Sequence, residues 1–228
     1  MSKLYIVATP IGNLEDITIR ALNILKSVDL ILCEDTRVTR KLLDKYEINT
    51  PVESYHQHSK VKKVEKIKEL LKEKDIALVS DSGTPGISDP GNKLVKEIEN
   101  VIPIPGVSAL TAIASVSGFS MDKFVFLGFP PHKKGRNKFF KEVFNSKHPV
   151  IIYESPHRII KTLNELKNFE GVVGRELTKK FETIYRGKIS QIIKKVKPKG
   201  EFVIVIKGNK WKNIMLHHQF LMLMPSPI

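Results

Sequence analysis

Short apolar runs bounded by turn-forming residues punctuate the first half of the chain. Residues 4–8 (LYIVA), 29–33 (DLILC), 76–80 (IALVS) and 101–104 (VIPI) each have the length and bounds of a buried strand. Between them the apolar positions switch to helical spacing. Ile17, Ala21, Leu22 and Leu25 predict a helix from Asp16 to about Lys26, and Leu42 and Leu43 lie in a short helix ending near Tyr46. Residues 61–74 place Val61, Val64, Ile67, Leu70 and Leu71 on one face and lysines on the other, an amphipathic helix. Asp89 followed by Pro90 reads as an N-cap with proline at the first helical position, opening a helix through Leu94, Val95 and Ile98. PGVSAL opens another helix, rich in small residues. The resulting alternation of strands and helices predicts a mainly parallel sheet with helices on both faces.

A seam at residues 117–122 (SGFSMD) separates this pattern from a second one. There, strands are expected at 124–129 (FVFLGF) and 150–154 (VIIYE), then in GVVGREL, ETIYRG and EFVIVIKG. Helices are expected through Phe139, Phe140 and Val143, through Ile159, Ile160, Leu163 and Leu166, and at 190–196. Closely spaced strands of this kind suit a mixed sheet. The expected organisation is an N-terminal α/β domain over 1–118, a C-terminal α/β domain over 119–210, and an atypical tail over 211–228.

Composition narrows the function. The 228 residues are 41% hydrophobic, enough for one large unit or two small ones, and no apolar run is long enough to span a membrane. The opening MSKLYIVATPIGN reads as a first strand and not as a signal peptide. Cys33 is the only cysteine, so no internal disulfide can form, and a cytoplasmic setting is expected. Net charge is +14 with a pI near 9.7, which favours a polyanionic partner, nucleic acid or a small polycarboxylate. A lysine-rich proteome would produce the same charge without any partner.

The chemistry concentrates after the strands. LVSDSGTPGISDPG (78–91) carries three glycines, two prolines and two aspartates, more than a connecting turn requires. TPIGN, CEDTR and PGVSA follow other strands of the first domain, and ESPHR follows one in the second. In open α/β sheets ligands bind beyond the carboxyl ends of the strands, so these segments together predict a ligand groove. The dinucleotide fingerprint and the P-loop pattern are both missing, as are zinc motifs, so no metal site is expected. His56 and His58 form an isolated pair at what reads as a strand end, better suited to a solvated loop. Cys33 precedes an acidic pair that would raise its pKa, which argues against a nucleophile.

TPIGNLEDIT, CEDTR, SDSGTPGISDPG, PGVSA, FLGFPP, YESPHR and RELTK occur in this order. Together they closely resemble the ribosomal RNA small subunit methyltransferase I branch of the tetrapyrrole methylase superfamily, over residues 3 to about 208. The resemblance implies two α/β domains with an S-adenosylmethionine (SAM) cleft between them, a homodimer, and 2′-O-methylation of a cytidine ribose in the decoding region of 16S rRNA, within the small ribosomal subunit. It places Pro10, Ser82, Gly83, Thr84, Ile87, Ser108, Ala109, Glu154 and Gly187 at the cofactor. Asp81 is added on chemical grounds, as a carboxylate for the cofactor's amino group, although an Asx turn would use it equally well.

A ribose hydroxyl is a poor acid, so a positioned base would help. Asp35, Glu154 and His157 are the leading candidates, with Glu34 and Glu176 behind them. Arg37, Lys133, Lys134, Arg136 and Arg158 are expected to contact RNA, with Lys138 in the same basic loop HKKGRNK and Arg175 as a further bidentate phosphate ligand. Each of these charged residues has an alternative as an ordinary ion pair or solvated side chain. Methylation of a tetrapyrrole precursor, and a non-catalytic RNA-binding assembly factor, remain the competing functions. Members of the family continue into a small C-terminal helical region. Here the stretch WKNIMLHHQFLMLMPSPI is apolar and unlike it, reads as a divergent or truncated end, and is assigned no role.

Overall fold

The computed structural model describes residues 2–56 and 61–209. His58 and the segment from Lys210 onward, including the atypical tail, lie outside the described residues. The chain divides into two compact units, one running to Thr111 and the other from Ala112.

The first unit is built on strands β1 (Leu4–Val7), β2 (Leu30–Cys33), β3 (Val52–Ser54), β4 (Ile76–Leu78) and β5 (Val101–Ile104). They form one sheet in the order β3-β2-β4-β1-β5, with parallel pairing throughout. Strands in such a sheet are covered on both faces, which is why they read as continuous apolar runs. Helices α1 (Ile19–Ser27) and α2 (Thr36–Lys45) supply Ala21, Leu25, Leu42 and Leu43 to a core with Val7, Ile31, Ala77 and Ile104. On the opposite face α3 (Val61–Leu70) and α4 (Asn92–Glu97) supply Ile67 and Leu94 to a core with Leu4, Leu32, Ile76 and Leu78. Helix α5 (Ala109–Ser115) follows β5.

Two helix starts differ from the periodicity. Residues Leu14–Asp16 form a 3₁₀ turn, and α1 begins only after Thr18, whose side chain accepts from the Ala21 amide and caps it. Helix α4 does not start at Asp89–Pro90. Its N-cap is Gly91 at φ +141°, a conformation open to glycine, so Asp89 and Pro90 stay in the preceding loop. Helix α3 ends at Leu70, earlier than its apolar face suggested.

The second unit contains β6 (Val125–Phe126), α6 (Arg136–Asn145), β7 (Val150–Glu154), α7 (Ile159–Glu165), β8 (Glu170–Arg175), β9 (Thr183–Lys188), α8 (Ile189–Ile192) and β10 (Phe202–Ile206). Its sheet order is β6-β7-β10-β8-β9, parallel between β6 and β7 and antiparallel elsewhere, the mixed sheet expected. Strand β6 is shorter than the apolar stretch 124–129, because Gly128 turns the chain at φ +66°. Glu154 and Arg175 both pair with Phe202, so the ends of β7 and β8 share one rim of the sheet.

Candidate functional site

The connections leaving β1 and β4 run to opposite faces of the first sheet, through α1 and α4 respectively. These two strands are neighbours, so their carboxyl ends border the topological switch point, where open α/β sheets form a crevice. The loops predicted to meet do meet there. Thr9 and Gly83 exchange backbone hydrogen bonds of 2.9 and 3.0 Å, joining TPIGN to the glycine-rich segment. The Thr9 hydroxyl donates to the Ser80 carbonyl at 3.1 Å, and the Ser80 hydroxyl to the Gly83 carbonyl at 3.2 Å. Thr84 donates to the Val107 carbonyl at 3.2 Å, tying in PGVSA. The Asp35 amide donates to Asp81 at 3.0 Å, tying in CEDTR.

Gly83 is central to this cluster and has φ +81°. A Cβ built on it would lie 3.3 Å from Ile11 Cγ2 and 3.7 Å from the Val107 carbonyl, so the cradle is closed to side chains. Pro10 is buried, Thr84, Ser108 and Ala109 are half-buried, and Ser82 and Ile87 are exposed. Gly187, with φ +122°, lies on β9 of the second unit.

Beside the cradle is an open groove of about 530 Å³, lined by Glu34, Asp35, Thr36, Arg37, Ser54, His56 and Asp81. It is acidic despite the basic chain. Burial, with the Glu34 and Asp81 carboxylates nearby, pushes Asp89 up to about 7. Burial and the Asp81 charge also raise Glu34, partly offset by His56. Burial pushes the Cys33 thiol up, as expected of an inert strand residue. Asp89 is the residue that sequence reasoning missed. Its Asp-Pro context carries the signal of a helix cap, and only the fold turns it toward other carboxylates.

Asp35 caps α2, accepting from the Arg37 amide at 2.8 Å, and the Arg37 guanidinium clasps both its oxygens at 3.0 and 2.6 Å. These contacts hold its carboxyl down to about 2. Arg37 itself is 87% exposed.

The second unit corrects several expectations. Glu154 is 1% exposed. It accepts from the Ser155 amide at 2.8 Å and the Thr162 hydroxyl at 2.5 Å, and pairs with Arg158 at 2.9 Å. Burial and three protein partners occupy this carboxylate, an arrangement that suits a structural anchor better than an accessible base. Arg158 is engaged with it and with the Pro130 carbonyl at 2.7 Å, which leaves it less available to phosphates than expected. Arg136 is likewise withdrawn. It is 4% exposed and bonds Glu165 at 3.1 and 2.6 Å, Thr162 at 2.7 Å and the Pro131 carbonyl at 3.0 Å. Arg175 is buried and donates to the Lys199 and Phe181 carbonyls at 2.7 and 3.2 Å. Glu176 is held by Lys179 and the Glu201 amide. By contrast Lys133, Lys134, Lys138 and His157 are exposed.

The fold and the converging loops define an α/β protein of two units, with its ligand crevice at the switch point of a parallel sheet. The sequence profile described as Tetrapyrrole (Corrin/Porphyrin) Methylases matches residues 3–193. The chain belongs to this methylase family. Relatives named Ribosomal RNA small subunit methyltransferase I include one from Thermotoga maritima, 46% identical over 92% of this chain and 100% of its own length. Another, from Bacillus subtilis, is 45% identical over 92% of this chain and 76% of its own. Among solved structures, a diphthine synthase superposes with TM-score 0.70 at 14% identity, covering 91% of this chain and 90% of that one. A cobalt precorrin-4 methyltransferase, described as a cobalamin biosynthetic enzyme, gives 0.66 at 18% identity over 90% and 94%. At these identities the structural matches speak to the fold.

Proposed function

We propose that this chain is an SAM-dependent methyltransferase that modifies the 2′-hydroxyl of a cytidine ribose in the decoding region of 16S rRNA, within the small subunit. The observation that carries this reading is the near-half identity, across almost the whole chain, to relatives named for small-subunit rRNA methylation. The single buried cysteine suits a cytoplasmic setting, and the family resemblance supports a homodimer.

The residues of the first unit suit SAM. Gly83 keeps the cradle open to close backbone approach. Glu34, Asp81 and Asp89 gather carboxyl groups at the site, and a ligand with a sulfonium and an ammonium group would favour their ionised forms. Pro10, Ser82, Thr84, Ile87, Ser108 and Ala109 would line the cofactor. SAM supplies an already activated methyl group, so the protein's task is orientation and proton management.

Of the three leading candidate bases, Asp35 is too acidic and Glu154 is fully engaged. His157, exposed in the loop after β7, is the group we assign to accept the ribose proton. His157→Gln is expected to lower kcat by 10²- to 10⁴-fold with SAM affinity unchanged. Asp35→Asn, which keeps the cap, should retain turnover. The decisive assay incubates the protein and SAM with undermethylated small subunits and maps methylated nucleosides by mass. No 2′-O-methylcytidine would overturn the reading.

A further inference from the structure

The loop joining β8 to β9 presents Phe181 with its side chain out in solvent, 63% exposed. Exposure of one phenylalanine means little by itself. What distinguishes this one is how firmly it is held there. Glu176 and Thr178 have φ of +52° and +64°, conformations that non-glycine residues adopt at a cost. Arg175 donates to the Phe181 carbonyl, and the Thr183 hydroxyl does so as well at 3.2 Å. Glu182 accepts from the Thr178 amide at 2.6 Å, and Lys179 bridges Glu176 and Glu201 at 3.1 and 2.9 Å. Leu177 is buried beneath. The loop is thus braced around a ring that is mostly exposed.

The surroundings of the ring indicate a ligand class. Lys180 Nζ stands 5.8 Å from the ring centroid. The loop shares its rim of the sheet with the segment after β6, where Lys133 and Lys134 in the loop and Lys138 in the first turn of α6 are exposed. On that side a second ring, Phe129, is 51% exposed and meets Tyr153 edge to face. Cations interleaved with exposed aromatic faces are the means by which proteins hold single-stranded nucleic acid: the cations take phosphates and the rings take bases.

We propose that Phe181 is a stacking platform for an unpaired base of the RNA substrate, flanked by lysines that take the adjoining phosphates. This rests on the rRNA reading above. It adds a contact that reads an unstacked base, where the lysine loop reads charge alone.

The test measures binding of a short single-stranded oligoribonucleotide, and of the same sequence as a duplex, to wild type and to Phe181→Ala, Phe181→Leu and Phe181→Trp. Phe181→Ala should weaken single-strand binding by about 5- to 150-fold, and Phe181→Leu nearly as much. Phe181→Trp should restore it, and duplex binding should hardly change. The salt slope should stay at the wild-type value, because no phosphate contact is lost. Unchanged affinity in Phe181→Ala, full rescue by leucine, or no binding of the oligonucleotide by wild type would each overturn the proposal. So would loss of self-association in Phe181→Ala with RNA binding intact, which would make the ring a protein interface. Methyl transfer by wild type to small subunits, measured in parallel, decides the rRNA reading separately: it can succeed while stacking fails, and the reverse.

Discussion

Gly83 shows how one residue can govern the site. Its φ of +81° and the 3.3 Å approach of Ile11 leave no place for a β-branched side chain. Gly83→Val is expected to abolish SAM binding in calorimetric titration while circular dichroism shows the fold retained, with about 1–3 kcal/mol of stability lost to backbone strain. Wild-type SAM affinity in a folded variant would remove this glycine from the site. Asp89 makes a pH-dependent contribution. Its folded pKa, near 7, lies above the usual aspartate value, so between about pH 4 and 7 the folded state holds a proton that the unfolded state has released. Stability from this group is therefore present at low pH, falls as pH rises through 7, and then levels. In Asp89→Asn that fall should vanish, making the variant the more stable form at pH 8. Denaturant midpoints from pH 5 to 8.5 check this, and parallel profiles for the two proteins would contradict it.

At the scale of elements, the β8–β10 pairing leaves little room at Gly171. A Cβ on Gly171 would sit 2.7 Å from the Val205 carbonyl and 2.9 Å from Ile189 Cδ1. The carbonyl belongs to the ladder and cannot move aside without breaking it. Gly171→Ala is expected to cost about 2–3 kcal/mol, read as a lowered denaturant midpoint at constant slope. No shift in the midpoint would mean that β8 and β10 are less closely paired than described. Strands and helices here were legible because continuous apolar runs and 3.6-residue spacing are local properties of the chain. Their boundaries were less so. Asp89–Pro90 has every feature of a helix start, yet the chain turns first at Gly91, where the packing of Leu94 into the core sets where α4 begins.

For the whole molecule, the +14 charge and the exposed lysine loop make a prediction about salt. Changing Lys133, Lys134 and Lys138 together to Ala should weaken RNA binding across sequences. The slope of log affinity against log salt should shrink by about 0.7–0.9 per lost phosphate contact, with SAM affinity unchanged. An unaltered slope would reduce the loop to a solvated connection. Arg136 is left out of this set on purpose. It is buried against Glu165, so its loss would be read in stability and would confuse the measurement. The proposed homodimer is checked by light scattering at micromolar concentration, where a monomer would count against it.

Apart from β3, whose three half-buried residues carry no apolar run, the order of strands and helices, the parallel first sheet, the mixed second one and the segments that cluster at the strand ends could be read from the chain. Each follows from the spacing of apolar residues and from turn chemistry within a few positions. The roles of the charged residues could not. Arg136 and Glu165 are 29 positions apart, and Asp35 and Asp81 are 46 apart. Whether a guanidinium meets solvent or a buried carboxylate depends on which helix lands beside it, and whether a carboxyl keeps its proton depends on which other acids the fold brings near. Charge is a property of a residue, but its availability is set by distant neighbours, through burial and pairing that only the folded chain creates.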